Sequence, residues 1–273
     1  MKSTLFSFAL ILFAFAGDSQ GFNITVFTGV SNYAGDLHDK TFTLNQSNLA
    51  GGLGLSYDLS DHFSLKLGVA LGKISGKDKY GKNVTRNLNF NSGLLEGSFG
   101  LEYYPTPLGQ HLLTPYVFAG AAMFHFSPYT YDKSENKYYL QSLSTEGQGL
   151  VSGRNPYKLS QFAIPFGGGV KWSLSNTISI GWELGFRKLF TDYLDDVSTD
   201  YIDPNVLVAG RGAKAVELSY RGGEIKNGNQ QYPVAGSQRG NRSPKDRYYF
   251  TGLTFSFRLV GRYSEYGCPG RVL

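Results

Sequence analysis

The chain of 273 residues has a formal net charge of +5, 35 glycines, 20 phenylalanines, 19 tyrosines and one cysteine. A lone cysteine excludes an intramolecular disulfide framework, and no basic stripe interleaved with aromatics points to nucleic acid. A mean hydropathy of −0.23 looks soluble on a helix-oriented scale, yet it does not exclude a membrane barrel, whose lipid-facing residues hide among polar ones.

The first element is an export signal: Lys2 supplies the positive charge, Leu5 to Ala16 is an apolar core, and Ala14-Phe15-Ala16 is a small-x-small cleavage site. This assigns 1–16 to a signal peptide and starts the mature chain near Gly17. The apolar segment is shorter than the roughly 20 residues a membrane helix needs, and no comparable run follows. Cys268 lies too far along the chain to carry an N-terminal lipid.

Eight segments of strand length follow, because apolar residues recur with period two. Asn23 to Tyr33 leads into a polar connection through Asp36, His38 and Asp39. Leu49 to Leu59 sets Leu49, Leu53, Leu55 and Tyr57 on one face, and Ser60-Asp61-His62 makes a tight turn. Phe63 to Ile74 alternates most clearly, with Leu65, Leu67, Val69 and Leu71 opposite Ser64, Lys66, Gly68 and Ala70. Ser75 to Asn87 reads as a basic solvent loop. Leu88 to Tyr104 opposes Leu95, Phe99, Leu101 and Tyr103 to Glu96, Ser98, Gly100 and Glu102, and Pro105 and Pro107 then enforce a turn.

Pro115 to Phe126 is apolar on both faces and small at its centre, and a long polar loop spans Ser127 to Ser160. Phe162 to Leu174 and Ile178 to Phe190 flank the short turn Ser175-Asn176-Thr177; they place Lys171, Glu183 and Arg187 among glycines on their polar faces. The longest loop runs from about Thr191 to Asp246. The last strand, Tyr248 to Leu259, sets Tyr249, Thr251, Leu253, Phe255 and Phe257 against Tyr248, Phe250, Gly252, Thr254, Ser256 and Arg258.

Three short turns alternating with four longer connections predict an all-β, antiparallel up-and-down barrel of eight strands in the outer membrane, over 17–259, with periplasmic turns and extracellular loops. A soluble sandwich or lipocalin-like barrel also alternates, with its apolar face inward. Aromatics at strand ends (Tyr57, Phe63, Tyr103, Tyr104, Tyr116, Trp172, Tyr249 and Phe257) fit interfacial girdles. With pI about 9.1, the expected anionic partner is the lipopolysaccharide of the surrounding membrane.

An eight-stranded barrel holds side chains, not a channel. Lys66, Glu96, Glu102, Lys171, Glu183 and Arg187, with Arg258, therefore read as inward charges in a cross-barrel network, without an entrance for a substrate. No nucleophile-and-base set stands out, so no enzyme and no cofactor is expected. Neither His38, His62, His111 and His125 nor Cys268 shows metal-ligand spacing. Gly167-Gly168-Gly169 lies inside a strand, where it permits close packing or bending of the wall. Asp192, Asp195 and Asp196, with Asp36 at the matching end of the first strand, leave two readings: turn capping, the commoner, or a calcium rim.

Ser31-Asn32-Tyr33-Ala34-Gly35-Asp36-Leu37, Pro115 to Gly120 and above all Pro165 to Ser198 carry a resemblance. Within the last block Gly167, Gly169, Lys171, Glu183, Gly185, Arg187 and Thr191-Asp192-Tyr193-Leu194-Asp195-Asp196-Val197-Ser198 match. The chain resembles the Bacteroidetes outer-membrane barrel family that includes the PorG-like subunit of the type IX secretion system. The resemblance implies a barrel that associates with a periplasmic secretion ring and has no enzymatic residues. The alternative is a stand-alone surface barrel whose outer loops bind a ligand or host surface.

Gly252, Phe255 and Phe257 are similar to the G-x-x-aromatic-x-aromatic insertion signal of such barrels. The tail, 260–273, would enter the periplasm beside a ring partner, with Cys268 either a free thiol or the point of an intermolecular disulfide.

Overall fold

The computed structural model describes residues 21–38, 45–243 and 245–260. The expected signal peptide and the tail with Cys268 lie outside the described residues, apart from Val260. Eight long strands form the wall: β1 (Phe22–Ala34), β2 (Asn48–Ser60), β3 (Phe63–Lys77), β4 (Asn89–Tyr103), β5 (Leu113–Tyr131), then β7 (Ser160–Ser173), β8 (Ile178–Leu189) and β9 (Arg247–Val260), with a short strand β6 (Lys137–Tyr139) hung on β5. Each strand pairs antiparallel with its chain neighbour, and β1 pairs with β9 from Phe22↔Val260 to Ala34↔Arg247, so the sheet closes on itself. Closure gives every long strand a partner on both sides and leaves the wall without an edge, as a bilayer requires of strands.

The apolar face points outward. Leu53 (65% exposed), Val69 (54%), Phe99 (52%) and Phe162 (68%) project from the wall, while Ser64, Glu96, Glu102 and Arg187 are buried inside. A soluble barrel would show the reverse, so the lipocalin-like alternative is overturned. Near the short turns, Phe63 meets Tyr103 (ring centroids 5.1 Å) and Phe22 meets Tyr57 (4.8 Å), with Trp172 and Phe257 exposed in the same band. Tyr104 and Tyr116 do not join that girdle. They fall on the inward parity of their strands and are buried in the lumen, and Tyr249 is buried as well.

The glycine triplet lies where β7 runs against β8, and a Cβ on Gly167 or Gly169 would overlap the carbonyl of Leu184 or Trp182. Backbone approach of this kind admits glycine alone.

At the long-loop end the strands outrun the roughly 9–11 residues that cross a bilayer; β5 has 19. Three segments expected as plain loops are built differently. Ser127 to Tyr131 continues β5, and beyond it come β6 and a single helical turn, α1 (Leu140–Leu143). The 75–87 connection is also more than a solvent loop, because Arg86 reaches back to the buried carboxylate of Asp78 at 2.7 Å and 2.8 Å. The longest connection contains α2 (Pro204–Arg211), started by Asp203 accepting from the Asn205 amide, and α3 (Ala213–Ser219). Together these segments roof the barrel.

Candidate functional site: a charged lumen beneath a packed cap

The lumen is filled by three layers of charge, and each layer is neutral. Nearest the short turns, Arg258 donates to Asp58 at 2.7 Å, and Asp58 also accepts from Ser64 (2.6 Å) and Asn23 (3.1 Å). In the middle, Lys66 bridges Glu183 (2.7 Å) and Glu102 (3.0 Å), while Lys171 holds the other oxygen of Glu102 at 2.8 Å. Tyr104 donates to Glu102 and Tyr116 donates to Glu183, the latter at 2.8 Å. Highest, Arg187 grips Glu96 through Nε (2.9 Å) and Nη2 (2.7 Å), and Tyr248 donates to the same carboxylate at 2.7 Å.

Pairing of this kind is what an eight-stranded interior demands. A buried carboxylate without a cation is strongly unfavourable, and bidentate or multiply bonded pairs recover most of the desolvation cost. Aromatic faces add to it: Lys171 lies 4.8 Å from the ring centroids of both Tyr104 and Tyr116, and the Arg187 guanidinium 4.4 Å from that of Phe250.

Above the third layer the lumen ends in aromatics. Phe124, Phe126, Tyr248, Phe250 and Tyr157 interlock, with Phe126 stacked on Tyr157 at 6.1 Å and Tyr157 on Tyr193 at 4.8 Å. This explains why the strand around Gly120 is apolar on both faces: one face meets the outside, and the other supplies Phe118, Phe124 and Phe126 to the interior.

The acidic segment Thr191 to Ser198 folds down onto this plug. Tyr33 donates to Asp195 (2.5 Å) and Asp246 (3.2 Å); Asp246 accepts from the Leu194 amide, and Asp195 from the Val197 amide, each at 2.9 Å. Asp196 accepts from Thr145 (2.5 Å) and Tyr157 (2.7 Å), and Asp192 accepts from Ser198 (2.8 Å). Glu146 receives the Ser198 and Thr199 amides together with Arg239, whose Nη1 lies at 2.9 Å. Asp36 stands apart from the trio and accepts from the Asn241 amide at 2.8 Å.

Burial pushes the carboxyls of Asp192 and Asp196 up to about 6. It raises Asp195 and Asp246 well above the ordinary range, helped by the charge of Asp36 on the one and of Asp195 on the other. Burial would lower the Arg239 guanidinium, but Glu146 and Asp196 reverse this and raise it. Among the described residues no group of three or more His, Cys, Asp or Glu side chains is disposed to hold a metal ion. The aspartates are engaged in capping and clasping bonds.

A family model described as a domain of unknown function, DUF6089, matches residues 2–210. The chain belongs to this family. The match takes in the residues expected as a signal peptide, from position 2 on, and every wall strand except β9. No curated protein matches the chain. Among solved structures it is similar to Neisserial surface protein A (TM-score 0.44, 8% identity, covering 88% of this chain and 97% of that one). Ail, the attachment invasion locus protein of Yersinia pestis, gives 0.43, 8%, 89% and 100%. The outer membrane protein OprG of Pseudomonas aeruginosa gives 0.42, 12%, 88% and 98%.

The six lumen charges singled out from this family member's sequence thus sit in two of the three layers, and Arg258 in the third. Asp58, the counter-charge of Arg258, was missed although it shares the inward parity of Ser56 on β2. The tyrosine donors Tyr104, Tyr116 and Tyr248 were also missed. Glu146 and Arg239, which lock the cap, carry no periodic signal because they come from irregular segments.

Proposed function

We propose that this chain is a non-enzymatic outer-membrane barrel that serves type IX protein secretion by anchoring or positioning a periplasmic ring complex at the membrane. The observation that carries the membrane reading is the inversion of polarity: leucine, valine and phenylalanine outside, neutral layers of charge inside. Short turns then face the periplasm and the cap faces outward, following the convention of such barrels. Glu96, Glu102 and Glu183 each face a cation at hydrogen-bond distance, which suits structural charges rather than a general acid or base.

Support for secretion comes from the sequence resemblance over Pro165 to Ser198, a block that supplies both the lumen charges and the cap segment. The test is deletion of the gene, which is expected to block export of type IX cargo; normal cargo secretion in the deletion strain overturns the reading.

A second reading, a surface barrel that binds a ligand through its outer loops, is favoured by one feature. The cap holds a cleft of about 630 Å³ lined by Lys82, Arg86, Tyr201, Tyr220, Lys245 and Arg247. Because the loops are woven together by Glu146 and Arg239, exchange of Lys245 and Arg247 for alanine tests it better than loop deletion. This reading expects lost surface binding with secretion spared.

A further inference from the structure

Row by row, the outer wall of β3, β4 and β5 passes from lipid-like to ionic. Leu67, Phe99 and Ala121 form one outward row, then Val69, Gly97 and Met123, then Leu71, Leu95 and His125, then Lys73, Gly93 and Ser127. In the lower rows the small residues Gly97 and Ala121 floor an open groove of about 710 Å³, flanked by Val69, Phe99, Met123 and Phe162, all more than half exposed. A Cβ on Gly97 or Gly93 would meet nothing within 4 Å, so these positions are open space, not packing solutions.

Above the groove, beyond the row of Leu71, Leu95 and His125, lie cations and rings. Lys73 and Lys137 place their ammonium groups 5.9 Å and 3.9 Å from the centroid of the same ring, Tyr129; Lys137 also lies 4.6 Å from that of Tyr139. Tyr139 and Tyr131 are exposed beside them. With about 3.3 Å of rise per strand residue, Lys73 stands roughly 7 Å above Leu71, which is headgroup height if Leu71 is at the edge of the hydrocarbon.

We propose that this strip is a specific site for a phosphorylated glycolipid of the outer leaflet, with an acyl chain in the groove and a phosphate between Lys73 and Lys137. The inference rests on the outer-membrane reading above. Two ammonium groups set against the same Tyr129 ring supply charge-assisted donors for a phosphate, and tyrosines suit the boundary between apolar chain and wet sugar. Annular lipid needs only the apolar belt; lysines two rows above a glycine-floored groove select both ends of one molecule. The groove alone would accept any acyl chain, and the lysines alone any phosphate.

The test uses the full mature barrel in nanodiscs, checked for insertion by heat-modifiable gel mobility, with binding read by native mass spectrometry. The probes are phosphorylated lipid A, the same lipid dephosphorylated, phosphatidylglycerol and inorganic phosphate. One phosphorylated lipid A per barrel is expected. The Lys73→Ala/Lys137→Ala variant should bind it roughly thirtyfold more weakly, from the contribution of each lysine near a lipid surface. Gly97→Phe, whose Cβ would meet nothing within 4 Å and whose ring would occupy the groove, should weaken it about tenfold, the loss expected when a buried chain segment of one or two methylenes is displaced. Equal retention by the wild type and both variants overturns the site, as does equal competition by phosphatidylglycerol or by inorganic phosphate. A wild-type barrel that never inserts overturns the membrane reading instead, and the gel separates the two failures.

Discussion

Arg187 and Glu96 come from strands on opposite sides of the barrel, 91 residues apart in sequence, and meet as a bidentate pair at 2.7 Å and 2.9 Å. Glu96→Gln leaves the guanidinium buried with half its partner, which is expected to destabilise the barrel by roughly 3–5 kcal/mol. Exchanging both for apolar residues of similar volume, Arg187→Met with Glu96→Leu, is expected to cost far less. Urea titration of the folded barrel in lipid, read by tryptophan emission, ranks the variants; a Glu96→Gln barrel as stable as the wild type overturns the claim that the pair must be broken or kept as a unit.

The plug of Phe124, Phe126, Tyr248 and Phe250 closes the lumen above the charged layers. Purified protein in a planar bilayer is therefore expected to show no sustained open level. Phe124→Ala combined with Tyr248→Ala is expected to stay closed as well, because the layers of paired charge below still fill the lumen. Steady conductance by the unaltered chain would contradict the packed interior described here.

The cap responds to pH in a direction set by its raised carboxyls. An acid whose folded pKa exceeds its unfolded value, near 4, keeps a proton in the folded state that the unfolded state has lost, so stability falls as pH rises through the folded value. With Asp192 and Asp196 raised to about 6, the cap should be tightest below about pH 4 to 5 and looser by pH 8. Hydrogen exchange at the Leu194 and Val197 amides, corrected for intrinsic rate, checks this. Asp196→Asn should flatten the dependence, and an unchanged slope in that variant counts against Asp196 as a source of it.

Arg239 ties the segment around Glu146 to the one around Asp196. Arg239→Ala strands a buried carboxylate and is expected to loosen the cap by about 3 kcal/mol or more, while the membrane strands stay closed. Limited proteolysis of whole cells should then cut the 145–155 or 199–243 region faster than in the wild type, with heat-modifiable mobility preserved. Cleavage at the wild-type rate removes Arg239 as a lock.

Much of the barrel can be read in the sequence because its rule is local. Period two assigns Leu67 outward and Lys66 inward without knowing what either touches, and the short turns at Ser60-Asp61-His62 and Ser175-Asn176-Thr177 fix the reversals. The same parity also marks Asp58, whose role becomes visible only once Arg258 is known to lie beside it. The girdle reading of Tyr104 and Tyr116 fails for a related reason: an aromatic near a strand end is interfacial only on outward parity. The cap is illegible because its bonds are non-local and its backbone irregular. Nothing in the spacing of Tyr33, Glu146 and Arg239 joins them. Asp192, Asp195 and Asp196 stand out as a charge run, whereas the structure uses them as acceptors for Tyr33, Thr145, Tyr157 and nearby amides.

Tyr33 belongs to the first strand, and Asp246 immediately precedes the last. Their bond therefore spans the seam where the two ends of the sheet meet, and Asp195 joins it from the roof. The clasp needs the first and last strands side by side, so its three side chains come together only in a closed cylinder. Order in the cap is thereby coupled to closure of the wall: a barrel open at this seam could not hold its roof in place.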